Sequence, residues 1–203
     1  MFCILLAAYP LSRTSKQFPK RSIFMWILVF CMLFNGGTVP WYITMKGYGL
    51  VDSIWGLVLG MGLNAYNLIL AVNFFKNLPA ELEEAALVDG AEPWKCLVLI
   101  FIPLAKPVIA TIALFTIVQY WNEFFRGMVL SARQSNYPLQ TYIQQLVVTY
   151  DFSTMNVEQT AQVQKLNKQS LDAAKIVVAM IPVLAVYPFL QKYFVSGITL
   201  GSI

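Results

Sequence analysis

Four apolar stretches, residues 22–45, 53–75, 107–130 and 174–195, constrain this chain more than any other feature. Each has the ~20 residues that a helix rising 1.5 Å per residue needs to cross roughly 30 Å of hydrocarbon. The composition agrees: 58% of residues are hydrophobic and only 12% charged, against roughly a quarter charged in soluble chains. One soluble core of 203 residues cannot hide that much apolar surface, so lipid must solvate part of it. The expected fold is therefore an all-α polytopic membrane protein. The net charge of +4 is mild and dispersed, which excludes nucleic acid as a partner. The chain has no histidine, so His-based catalysis and His-ligated metals are excluded. Cys3, Cys31 and Cys96 are too widely spaced for a disulfide framework or a zinc site and read as free buried thiols.

The chain opens on ten apolar residues ending at Pro10, which as a helix reach about 15 Å, half a span. They lack the basic stretch and cleavage site of a signal peptide and read as the remnant of a fifth membrane helix, with a short interfacial N-terminus as the alternative. Arg13, Lys16, Lys20 and Arg21 follow with no acid among them, which places that loop in the cytoplasm. Alternation then puts 46–52 outside, 76–106 inside and 131–172 outside. Asn35-Gly36-Gly37-Thr38-Val39-Pro40 interrupts the first span, where Gly and Pro free backbone groups that neighbouring protein or water must satisfy. The second carries Gly56, Gly60 and Gly62 followed by Asn64, Asn67 and Asn73, as a hinge or as plain helix packing. Gly56 and Gly60 fit a small-xxx-small packing face, and Pro182 and Pro188 predict kinks.

The loop at 76–106 reads as two short helices around a glycine. Pro79 suits a first turn, and Glu81, Glu83 and Glu84 place negative charge where the helix dipole favours it. Gly90 suits the left-handed residue that ends a helix, and Pro93 starts the next, which runs to about Pro103. Leu82, Ala85, Ala86 and Asp89 share one shallow face, suited to close approach by another protein. An interfacial helix lying on the membrane is the alternative, although the basic face usual for such helices is missing.

Glu84-Ala85-Ala86, then Gly90 after three residues, Ile100 after nine more, and Ile102-Pro103 together resemble the EAA loop of ABC importer permeases. The one departure is Ile102 in place of leucine. Phe74-Phe75, Leu78-Pro79-Ala80-Glu81-Leu82, Val88-Asp89-Gly90-Ala91 and Pro103-Leu104-Ala105-Lys106-Pro107 are similar to the carbohydrate branch. So are the Tyr9-Pro10-Leu11-Ser12-Arg13 segment, Trp121-Asn122 and the tail from Gly197 to Ser202. Within that branch the likeness is to the second permease of complex-oligosaccharide importers, of the aldouronate and pectin-fragment kind.

The resemblance implies a single transmembrane domain over 1–203, with four full spans and the remnant of a fifth, N-terminally incomplete. It implies that 76–106 is a cytoplasmic coupling loop seated on an ATP-hydrolysing subunit. Glu84 would pair with a basic residue there, Ala85 and Ala86 would permit a close fit, and Gly90 would make the turn. Asp89, Ile100 and Pro103 belong to the same loop, and Gly197, Thr199 and Gly201 of the tail would touch the same subunit. The implied partners are a second permease subunit, two ATPase subunits, an extracytoplasmic sugar-binding protein and membrane lipid, in a bacterial plasma membrane. No G-x-x-x-x-G-K-[ST] phosphate loop occurs in the sequence, and no catalytic residue, cofactor or metal is expected.

Polar groups inside spans are costly and mark transport paths, which singles out Asn64, Asn67, Gln119, Asn122 and Glu123, with Tyr120 and Trp121 able to stack on sugar rings. Equally open are an ordinary Glu123–Arg126 pair at i, i+3 and an aromatic belt. The rival functions are a self-sufficient four-span channel or carrier and a membrane-embedded enzyme. The enzyme is the weaker of these, because no paired intramembrane carboxylates or nucleophile elbow is present.

Overall fold

A computed structural model describes residues 1–148 and scattered helical positions between 173 and 185. The expected span at 174–195 is therefore only sampled, and the tail lies outside the described residues. Those residues are helical throughout, without a strand. They belong to two compact units, Met1–Thr38 with Met61–Ile117, and Val39–Gly60 with the chain from Val118.

The first unit holds an apolar core. Helix α1 (Phe2–Ser12) packs along α5 (Ala65–Lys76), and α2 (Arg21–Leu33) packs on both. Ala8, Ala71 and Val72 are fully buried where α1 meets α5, and Phe75, Cys96, Phe101 and Ile112 close the core around them. The small residues let the backbones approach closely, as membrane helices require when lipid is as apolar as leucine. By contrast, α2 buries no residue. Trp26, Phe30 and Leu33 are 60% to 84% exposed, so this helix presents a lipid-like surface.

Among the described residues no single helix is long and apolar enough to cross a membrane. Three of the four expected stretches are instead broken helices. The stretch at 22–45 divides into α2 and α3 (Thr38–Gly47), and that at 53–75 into α4 (Ile54–Gly60) and α5; each pair meets the length and hydropathy requirement together. The breaks fall among the glycines that sequence singles out. Gly37 has φ +85° and its N–H donates to Asn35 Oδ1 at 2.9 Å. Gly62 has φ +63°, and the Asn64 side chain caps α5 by accepting from Asn67 N–H at 3.1 Å. The stretch at 107–130 also breaks, into α9 (Lys106–Trp121) and α10 (Phe125–Leu130). There Glu123 Oε1 accepts the Arg126 N–H at 2.8 Å at the start of the new helix.

In the second unit α4 and α10 pack together, and α10 meets α11 (Leu139–Val148). The small-residue face at Gly56 and Gly60 is a packing face. A Cβ on Gly56 would strike the Leu50 carbonyl, and one on Gly60 would come within 3.2 Å of the Trp41 ring. Asp52 ties this end together. Its carboxylate accepts from Asn136 Nδ2 at 2.9 Å and Ala132 N–H at 3.3 Å, and pairs with Arg133 Nε at 3.2 Å. These contacts, the Asn136 bond foremost, hold the Asp52 carboxyl below the usual carboxylate range.

The thiol expectation needs correction. All three cysteines are free, but only Cys96 is buried; Cys3 and Cys31 are exposed. An apolar neighbourhood in sequence does not mean burial within the chain when whole helix faces are turned outward.

Candidate functional site

The loop at 76–106 folds as two helices about one turn. Helix α6 (Ala80–Val88) starts after Pro79, with Glu81 and Glu83 in its first turn. It ends at Gly90, whose φ of +78° only glycine adopts at little cost. The Gly90 N–H donates to Leu87 O at 3.1 Å and the Ala91 N–H to Ala86 O at 2.9 Å. Those two bonds are the Schellman pattern, and they satisfy carbonyls that the helix end would otherwise orphan. A second helical run opens with α7 (Pro93–Cys96), passes through a π-helical turn at Leu97–Phe101, and ends in α8 (Ile102–Leu104). A break at Ala105 then bends the chain by 79° into α9.

The candidate coupling residues do not all face the same way. Glu84, Ala85 and Asp89 are exposed, with Leu82 41% and Val88 87% exposed beside them. Ala86 is half-buried and packs on the core, as do Ile100 and Ala91. Pro103 is exposed in α8. Glu84 and Glu81 have no hydrogen-bond or ion-pair partner among the described residues. Glu83, one position away, is 6% exposed. It accepts a hydrogen bond from Tyr9 Oη at 2.7 Å and forms an ion pair with Arg13. Sequence reasoning groups Glu83 with its neighbours as dipole-favouring charge and gives Tyr9 and Arg13 no contact with it. The only available signal is positional, because consecutive residues on a helix point about 100° apart.

Of the candidate path residues, Asn64 and Asn67 lie in the first unit. Asn67 is 2% exposed and donates from Nδ2 to Thr116 Oγ1 at 3.4 Å, so a buried amide survives among apolar side chains by being paired. The other five lie in the second unit. Tyr120 donates its hydroxyl to Val58 O at 2.7 Å. Glu123 is paired with Arg126, whose guanidinium stands 5.7 Å from the centre of the Trp41 ring. Trp121 is half-buried, while Gln119 and Asn122 are exposed. Gly197, Thr199 and Gly201 lie outside the described residues.

A helical chain with broken apolar spans and this loop has close counterparts. Residues 6–200 match the family described as "Binding-protein-dependent transport system inner membrane component". The chain belongs to this family. It is a transport permease of the ABC importer class and not an enzyme, and the match disfavours a self-sufficient channel or carrier. Protein LplC of Bacillus subtilis (strain 168) is 40% identical over 203 residues, 100% of this chain and 68% of that protein. The polygalacturonan/rhamnogalacturonan transport system permease protein YtcP of the same strain is also 40% identical, covering 100% of this chain and 70% of its own. A solved bacterial ABC transporter "involved in the import of the acidic polysaccharide alginate" contains a chain that is 37% identical. It matches with a TM-score of 0.84 over 95% of this permease and 68% of that chain. Permeases of this family are inner-membrane components that act with a partner permease, ATPase subunits and a binding protein.

Proposed function

We propose that this permease lines half of the path for an oligosaccharide and receives the force of ATP hydrolysis through α6. The observation that carries the reading is the division of α6. Glu84, Ala85 and Asp89 form an open face free of bulky aromatic groups, while Glu83 and Ala86 fix the opposite side to the body of the chain. A small, acidic, rigidly held face fits a cleft of an ATPase subunit that offers a basic residue to Glu84. The left-handed Gly90 and Pro93 then set the direction in which the second helical run leaves. The loop at 76–106 would be cytoplasmic, the segment at 131–172 extracytoplasmic, and the whole of 1–203 one transmembrane domain in a bacterial plasma membrane. The partner permease, two ATPase subunits and an extracytoplasmic sugar-binding protein would complete the importer.

The substrate class follows the relatives, two of which are named for polysaccharide transport. Asn64, Asn67, Gln119, Tyr120, Trp121, Asn122 and Glu123 are the path candidates, and the tail at Gly197, Thr199 and Gly201 is a second candidate contact with the ATPase. Rocking of the helices between outward- and inward-facing states would carry the sugar across. The test is uptake of labelled oligogalacturonides and alginate oligosaccharides by cells carrying the assembled importer. Glu84→Ala and Gly90→Trp should each abolish uptake while membrane insertion stays normal. Uptake surviving both changes sinks the coupling role, and recovery of an active complex without any ATPase restores the self-sufficient carrier.

A further inference from the structure

The end of α1 reaches α6 through a polar cluster that the coupling face does not use. Arg13, immediately after α1, forms an ion pair with Glu83, and Tyr9 donates its hydroxyl to the same carboxylate at 2.7 Å across 74 positions of sequence. Both charged side chains are shielded, at 13% and 9% exposure. The guanidinium is itself fixed. It donates to Ser12 Oγ at 2.9 Å and to Tyr9 O at 3.3 Å, and lies 4.5 Å from the Phe101 ring centre and 4.7 Å from that of Tyr9. Tyr9 and Phe101 meet edge to face at 5.1 Å, and Phe101 is the last residue of the π-helical turn. The Arg21 guanidinium at the head of α2 then donates to Arg13 O at 2.9 Å.

We infer that Arg13 and Tyr9 are positioning residues that pin α6 to the first helix at Glu83, so that motion of the coupling helix is delivered to α1 and through it to α5. The physical case rests on direction. Apolar packing of Ala86 and Ala91 on the core resists separation but tolerates sliding. A buried carboxylate held by a guanidinium and a phenol at fixed angles does not. Replacing such a pair by packed apolar groups often costs no stability, so its usefulness lies in register rather than in binding energy. Consecutive residues of α6 thus divide two tasks, with Glu84 turned outward and Glu83 anchored inward.

The inference rests on α6 being the coupling helix, and the experiment separates the two ideas. In proteoliposomes holding the full importer, ATP hydrolysed per oligosaccharide imported is measured, with the better-imported of the oligogalacturonide and alginate probes as substrate. Glu83→Gln and Arg13→Leu should still recover the ATPase on purification. Transport per ATP should fall well below the parent's, because hydrolysis then moves α6 without α1 following it. The exchanged pair Arg13→Glu with Glu83→Arg should recover part of it. Should Glu83→Gln fail to assemble, Tyr9→Phe, which removes one hydrogen bond and no charge, should lower the same ratio by a smaller factor. An unchanged ratio in the assembled variants, beside loss of uptake in Glu84→Ala, overturns the pin and leaves the coupling role standing. Uptake intact in Glu84→Ala and Gly90→Trp overturns the coupling role itself.

Discussion

Gly127→Ala adds one methyl group to α10 where the second unit has no room for it. A Cβ at Gly127 would overlap Thr141 Oγ1 and come within 2.8 Å and 2.9 Å of the Pro138 ring. The ring is rigid and cannot turn aside. Thr141 can rotate, but its hydroxyl then gives up the 2.8 Å bond it donates to Phe124 O, in a side chain only 1% exposed. Overpacking costs about 1–3 kcal/mol, and an orphaned buried hydroxyl about 1–3 kcal/mol more. Alanine's better helix propensity returns about 1 kcal/mol. The net destabilisation is therefore about 3 kcal/mol, which lowers the melting temperature of a chain this size by roughly 6–12 °C. Thermal unfolding of the detergent-purified importer measures it. Thr141→Ala alone should cost little, because Phe124 O also accepts the Met128 N–H at 3.0 Å. The double variant should be less unstable than the sum of the two by about 1 kcal/mol or more, with the Pro138 clash remaining. Strict additivity, or a Gly127→Ala protein as stable as the parent, would refute the packing argument.

Other outcomes follow from the same geometry. Gly90 is open on all sides, with nothing within 4 Å of where a methyl group would sit, yet its φ is +78°. Gly90→Ala should thus cost about 1–2 kcal/mol through backbone strain alone and Gly90→Asn less, in thermal unfolding; a cost that tracks side-chain volume contradicts this. Asp52 titrates below its ordinary value because Asn136 and its neighbours hold the charged form. Its clasp should be fully present above about pH 4, the unfolded value, and be lost as pH falls through the lower folded value. Hydrogen exchange at Ala132 N–H, compared with Asp52→Asn at each pH, reads this directly; equal protection throughout would show that the clasp does not form. Asn67→Leu should leave Thr116 bonded, since that hydroxyl also donates to Ile112 O at 2.7 Å. Assembly should survive it, and reduced uptake without loss of ATPase recovery would support a place for Asn67 on the path.

Much of the loop at 76–106 was legible because its signals are local. Pro79, Gly90 and Pro93 act through their own backbone preferences, and the Schellman turn needs no distant partner. The break at Gly37 was legible for the same reason, whereas at Gly62 only the structure separates the breaking glycine from the packed Gly56 and Gly60. The break before α10 was not, because no glycine or proline marks it and the Glu123 carboxylate that meets the Arg126 N–H there reads in sequence as an ordinary i, i+3 ion pair. The spacing of the loop motif identified the family, and the family match agrees.

Sequence by itself determined the solvent, the helical class, the loop and the family, since each depends on length, hydropathy or residues within a turn or two of one another. Tertiary structure alone decided which of the three loop glutamates faces inward. Glu81, Glu83 and Glu84 have the same charge and similar helix preference, so nothing local distinguishes them. Glu83 is buried because α1 returns 74 positions away with Tyr9, and with Arg13 just beyond it, at that point of the surface. Burial of a charge is stable only where a partner of opposite sign is brought to it, and only the fold brings one.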